Sequence, residues 1–269
     1  MHPEPTRAPA PLTVDGRLGP RFVVTPAEPG GVQNGSLLDG VPVPGPMLHG
    51  ETLDRLVDDV AALRDTPDRT VAASLWMSQY ASWLVGAVIA ERARGRLLGA
   101  SLDAVTLVSD RGVVQGIRFA RAARPAVPDV DDALVAALVD DNLAVVVGRL
   151  RARVRISSRN LWGSVAAAFA TGTRVLSWCA PPTDPIHDAP TAAAFARDLL
   201  GRRRGLDRLV GLGELDEAGR SWLVVHRGAC CLAYRTPTGR TCATCTLLDP
   251  DERADRFRGF VNDYLQESR

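Results

Sequence analysis

The 269-residue chain contains no lysine; all 32 of its basic residues are arginine. Arginine grips anions through a planar fork, but a chain-wide absence of lysine reads first as codon bias in a GC-rich genome. With 31 acidic residues the formal net charge is +1, so no strong field marks nucleic acid or a membrane surface as a partner. Long apolar runs are missing too. The most apolar short stretch, Trp83 to Ala90, falls well short of the about 20 residues that span a bilayer. Met1 to Pro11 is polar and proline-rich, without the apolar core of a secretory signal. The expectation is a soluble, cytoplasmic protein with no stable membrane insertion. Nucleotide motifs are absent as well: there is no P-loop, and Gly211-Leu212-Gly213 lacks a third glycine at the right offset. Cysteine is scarce, at five residues. In a reducing compartment such cysteines point to metal or redox use and not to a disulfide framework.

Hydrophobic residues make up 46% of the chain, enough to bury a substantial core. The organisation expected is a Pro/Gly-rich, loosely structured lead-in over 1–47, a body over 48–225 and a C-terminal segment over 226–269. The lead-in has one strand-like patch at Arg21 to Thr25. Leu53, Leu56, Val57, Val60 and Leu63 recur at helical spacing, which predicts an amphipathic helix over 51–64. A longer helix over 68–94 has an apolar face broad enough to be central and buried. Two β-rich runs, 104–108 and 113–119, flank a turn at Ser109 to Gly112 and predict a hairpin. Helical spacing resumes over 131–150, after Pro128-Asp129, and shorter helices are expected near 161–170 and 191–200. Ser221 to Val225 reads as a strand. At the end, Asp249 is a candidate N-cap with Pro250 and Glu252 behind it, opening a helix to about Leu265. The fold class is α+β, mainly α-helical with a small antiparallel hairpin or sheet.

Four of the five cysteines, Cys230, Cys231, Cys242 and Cys245, lie just before that last helix in the spacing C-C-x10-C-x2-C. The x2 pair lets two thiolates turn toward one metal centre. Turn residues in Thr236-Pro237-Thr238-Gly239-Arg240 allow the vicinal pair to fold back onto it. Four thiolates of this kind hold Zn or an iron–sulfur cluster. Zinc ribbons usually use two C-x2-4-C knuckles, and Cys230-Cys231 is not a knuckle. Adjacent side chains in extended backbone diverge, which suits two irons better than one tetrahedral ion. Spacing alone leaves a [2Fe–2S] centre, Zn and a disulfide open.

The run Cys230-Cys231-Leu232-Ala233-Tyr234-Arg235, followed by Cys242-Ala243-Thr244-Cys245, resembles the C-terminal motif of ferric-siderophore reductases of the FhuF type. Ala72-Ala73-Ser74-Leu75-Trp76 through Tyr80-Ala81-Ser82-Trp83-Leu84 is similar to the body of that family. So is Arg159-Asn160-Leu161-Trp162-Gly163-Ser164, with Ser164 where the family pattern has Asn. The likeness spans roughly 50–250 and is shared more weakly with the C-terminal part of siderophore synthetases. It implies a [2Fe–2S] cluster on the four cysteines and one-electron reduction of siderophore-bound Fe(III), with no catalytic residue beyond the cluster. Because no nucleotide motif is present, the electron is expected from a separate donor, a ferredoxin or a reductase. The competing reading is a non-redox siderophore-binding or biosynthesis-related protein with structural Zn on the same thiols.

Amides after Thr236, the hydroxyls of Thr241 and Thr244, and Arg235 or Arg240 are the candidates to tune a cluster potential through hydrogen bonds and charge. Arg149, Arg151, Arg153, Arg155 and Arg159 read first as a solvated basic face, and Arg202-Arg203-Arg204 as a helix C-terminal cap. Cys179 reads as a buried thiol. His2, His49, His187 and His226 have no metal-ligand spacing.

Overall fold

Helix α2 (Arg69–Ala93) is the axis of the molecule, and its composition explains why. It is apolar on nearly every side, as a helix surrounded by protein must be, and Trp76, Tyr80, Leu84 and Val88 are all fully buried. The side chain of Asp68 caps its first turn by accepting from the Thr70 amide. The computed structural model of the protein describes residues 18–27, 31–35, 40–126, 130–203, 205–239 and 241–267. Met1 to Pro11, Pro128, Asp129, Arg204 and Arg240, on which sequence expectations fall, lie outside them.

The fold is α+β, mainly helical with small antiparallel sheets. One sheet contains β1 (Val24–Ala27), β2 (Gly31–Gly35), β3 (Val41–Pro44), β5 (Val105–Asp110) and β6 (Val113–Phe119) in the order β1-β2-β6-β5-β3. The short pair β4 (Arg96–Leu97) and β7 (Arg124–Pro125) stands apart. The expected hairpin is β5–β6, closed by Arg111 and Gly112 with φ of 40° and 81°. Two positive φ values are what a two-residue I′ turn needs. The described part of the region read as a loose lead-in instead supplies three strands of this sheet.

What recruits that region is Asn34, which is wholly buried. Its amide donates to the carbonyls of Trp83 and Arg21, each at 2.9 Å, and its carbonyl accepts from the Ile117 amide at 2.8 Å. One side chain thus ties β2 to β6 and to α2. Asn34→Ala strands buried backbone groups, and the expected loss is about 3 kcal/mol, read as a lower urea midpoint at unchanged slope.

Around α2 pack α1 (Gly50–Leu63) and, most extensively, α5 (Ser158–Cys179). The helix expected over 131–150 is α3 (Asp131–Val135), a π-helical stretch (Ala136–Leu143) and α4 (Ala144–Arg153). In the π-helical stretch Asn142 is buried, accepts from the Tyr80 hydroxyl at 2.7 Å and donates to the Ala100 carbonyl at 2.8 Å. Burial pushes the Tyr80 phenol above its ordinary range. The helix expected near 161–170 is far longer, because α5 runs for 22 residues. Helix α6 (Ala189–Gly201) follows, and then a hairpin of β8 (Val210–Glu217) and β9 (Arg220–Arg227). Strand β8 replaces what reads in sequence as a failed glycine motif. At Gly211 an added Cβ would meet the His226 ring nitrogen Nε2 at 1.8 Å, so this glycine makes room for a cross-strand imidazole. The last helix, α7 (Pro250–Gln266), begins where expected, with the Asp249 side chain accepting from the Glu252 amide at 2.8 Å. Among the described residues no helix is long and apolar enough to cross a membrane.

Candidate metal centre

Strand β9 ends at Arg227, and the chain then turns beneath the first residues of α5. Gly228 donates to the Leu209 carbonyl at 2.7 Å. The Arg159 guanidinium donates to the Gly228 carbonyl at 2.9 Å, and the Asn160 amide donates to the Cys230 carbonyl at 2.7 Å. One turn on, Gly163 faces Ala229 so closely that a Cβ there would sit 2.4 Å from the Ala229 methyl. Ser164 also makes polar contacts here. Its hydroxyl lies 2.8 Å from that of Ser78 and accepts from Arg227 at 3.1 Å. The segment 159–164 is therefore the seat of the cysteine loop.

The vicinal pair follows. Leu232 takes φ 64°, a left-handed conformation that is costly for a residue with a branched side chain. Its amide donates to the Cys230 sulfur at 3.3 Å. A short 3-10 turn, Ala233–Arg235, reverses the chain. Arg235 is held there by Asp68 at 2.7 Å, the same carboxylate that caps α2.

The C-x2-C pair is anchored from below. Ala243, between the two cysteines, is buried in an aromatic cluster with Trp178, Trp222, Phe257 and Val261. Trp178 and Trp222 meet edge to face at 5.2 Å, and the Tyr264 hydroxyl donates to the Trp178 carbonyl at 2.7 Å. Helix α7 is thereby fixed to α5 and β9, with the cysteine loop between them. The Thr244 carbonyl accepts from the Arg227 amide at 2.9 Å. Arg256 of α7 donates to the Thr241 carbonyl and hydroxyl at 2.7 and 2.8 Å.

The thiols themselves are free of disulfides and unequally covered. Cys245 is buried, Cys230 and Cys231 are half-buried, and Cys242 is exposed. The Leu247 amide donates to the Cys245 sulfur at 3.5 Å, and the Thr244 hydroxyl lies 3.1 Å from the Cys242 sulfur. Burial pushes the Cys245 thiol up. The Leu247 amide works against that, and the nearby Cys242, Cys231 and Cys230 thiols add to it. All four are therefore electrostatic neighbours. They do not form a convergent set: among the described residues no three His, Cys, Asp or Glu side chains stand close enough to hold a single ion.

Other expected candidates have structural employment. Arg149 donates to the carbonyls of Gly45, Pro46 and Leu48, ahead of α1. Arg153 pairs with Asp54, Arg202 with Asp132 and Asp198, and Arg203 with Asp140. Cys179 is buried. His226 lies against Gly211, its pKa lowered by burial and by Arg253. The amides that reach sulfur belong to Leu232 and Leu247, whereas those of Thr236 and Gly239 bond to carbonyls within the loop. Sequence reasoning does not reach the roles of Asn160 and Gly163. The signal is present: a helical glycine one turn after an amide, in a segment that resembles the family.

No match to the chain is found among curated proteins. The family model described as ferric iron reductase FhuF-like transporter matches residues 74–204, a span that includes most of α2 and all of α5 and stops short of the four clustered cysteines. Over that region the chain is similar to the FhuF-like ferric iron reductase family.

Proposed function

We propose that the protein reduces siderophore-bound Fe(III) to Fe(II) by one electron, with a [2Fe–2S] group on Cys230, Cys231, Cys242 and Cys245 as its redox centre. The observation that carries this reading is the seating of the cysteine loop on the family-matched turn 159–164, through Arg159, Asn160 and Gly163. Soft thiolates with amide and hydroxyl donors at sulfur are the chemistry an iron–sulfur group uses. Four sulfurs divided between two irons need not converge on one point. When bound, such a group takes up and passes on a single electron.

The chain's own residues do the rest. The aromatic cluster under Ala243 keeps water from the buried side of the loop, while Cys242 leaves an edge open to partners. A siderophore wraps Fe(III) in hard oxygen ligands and holds Fe(II) far less well, so one electron suffices for release into the cytoplasm. The substrate's iron is already fully coordinated and asks for no protein ligand. The electron comes from a separate donor, a ferredoxin or a reductase.

Anaerobically purified protein is expected to be red-brown, with iron and acid-labile sulfide in equal amounts. The dithionite-reduced form is expected to reoxidise on mixing with a ferric hydroxamate as Fe(II) is trapped by a chelator. Colourless protein with one equivalent of Zn, or reduced protein that ferric complexes leave untouched, overturns the proposal.

A further inference from the structure

Beside Cys242 lies a cleft of about 250 Å³ between α2, α5, β9 and α7. Ser82, Thr171, Arg174, Arg227, Cys242 and Phe260 are among the residues that line it, and among the described residues no carboxylate does. Two guanidinium groups therefore face a small space without an acidic partner. Arg174 lies over the Trp178 ring at 4.5 Å and the Phe257 ring at 5.9 Å, and its Nε finds no acceptor. Arg227 donates to the Ser164 hydroxyl and the Ala229 carbonyl, both neutral.

Arg149 and Arg159 also donate to neutral carbonyls, but four other arginines described above do not share this lack of an acidic partner. Arg153, Arg202, Arg203 and Arg235 all pair with aspartates. A largely buried cation without a counter-ion is unfavourable. Burial pushes Arg174 down to about 10, which still leaves it charged at neutral pH. The volume lies below the roughly 300–1,000 Å³ of pockets that enclose a whole ligand, so the cleft suits one arm of a larger molecule.

We infer that this cleft is an anion subsite, in which Arg174 and Arg227 take a carboxylate arm of the ferric complex and hold that complex beside Cys242. The inference rests on the reductase reading and adds a substrate class to it: chelates that carry a free carboxylate. A charge-assisted pair with a carboxylate in such a site is worth about tenfold or more in affinity.

The test uses two hexadentate trishydroxamate chelators that differ only in one side arm, a carboxylate in one and its methyl amide in the other. Each is loaded with Ga(III), which matches Fe(III) in charge but takes no electron here, and binding to the full chain is measured by calorimetry. The carboxylate twin is expected to bind about tenfold more tightly. Arg174→Gln should bring the two affinities together. Thr171→Glu should do so as well, by placing an internal carboxylate one turn from Arg174 without removing the guanidinium from Trp178. Equal binding of the twins to the unaltered protein overturns the inference, as does a preference that survives in a folded Thr171→Glu variant. The same twins loaded with Fe(III) separate the two readings. If both are reduced and the gallium twins bind equally, only the subsite falls. If neither is reduced and neither gallium twin binds, the reductase reading falls and the subsite with it.

Discussion

Replacing Cys242 with serine should leave the chain folded while abolishing both the red-brown chromophore and the reduction of ferric siderophores. Cys242 is the exposed thiol of the four, and the packing of its loop is carried by its neighbour Ala243 in the aromatic cluster. Serine therefore gives up little packing, and the metal-free variant should lie within about 0.5 kcal/mol of the metal-free parent. A hydroxyl is a poor substitute for a thiolate on iron, whose clusters select soft sulfur ligands. The expected result is loss of visible absorbance, loss of iron and sulfide from the purified protein, and Fe(II) formation at background. Reduction that continues in colourless protein would show that the electron does not pass by way of the cysteines.

Gly163→Ala is the second large effect, and here two physical arguments predict opposite signs. Alanine is the better helix former by about 1 kcal/mol, so propensity alone predicts a more stable protein. Packing predicts the reverse, because the new methyl would sit 2.4 Å from that of Ala229. Overfilling of this kind costs about 1–3 kcal/mol. It would also lift Cys230 from its hydrogen bond to Asn160. The expected outcome is a lower urea midpoint together with loss of most of the bound iron. Ala229→Gly in the same chain removes the offending atom, leaving the Ala229 backbone at 3.5 and 3.7 Å, ordinary contact distances. The double variant should regain both stability and iron, a strong positive coupling between neighbouring sites. Two single changes whose effects merely add would show that the loop does not seat on Gly163.

The elements that can be read from sequence are those whose signals are local. The Asp249 cap, the Arg111-Gly112 turn and the largely apolar α2 each depend on residues a few positions apart, and each stands where expected. Helix α5 is longer than its sequence suggests because its glycines look like breaks. At Gly172 an added Cβ would meet Ile89 of α2 at 2.4 Å, and at Gly163 it would meet Ala229. Both glycines lower intrinsic helicity and both allow close packing, which outweighs propensity once neighbours are present. Strand β8 escapes a sequence reading for a similar reason: two glycines and alternating acids carry little β signal, and its turn at Ala218-Gly219 lacks the usual Asn-Gly or Asp-Gly. The strands of the supposed lead-in depend on Asn34 meeting Ile117, 83 positions away.

Sequence by itself determined the four thiols, their spacing and the helix that follows them, since covalent order and local capping need no distant partner. Tertiary structure decided where those thiols sit: on the turn 159–164, above the Trp178–Trp222 cluster and beside a cleft into which two guanidinium groups face, with no carboxylate among its described lining residues. Each of those contacts joins residues tens of positions apart, and nothing in a local pattern says which glycine will face which methyl. Only the folded chain brings Gly163 under Ala229 and Arg174 beside Cys242, because burial and close packing act on distance in space and not on distance along the chain.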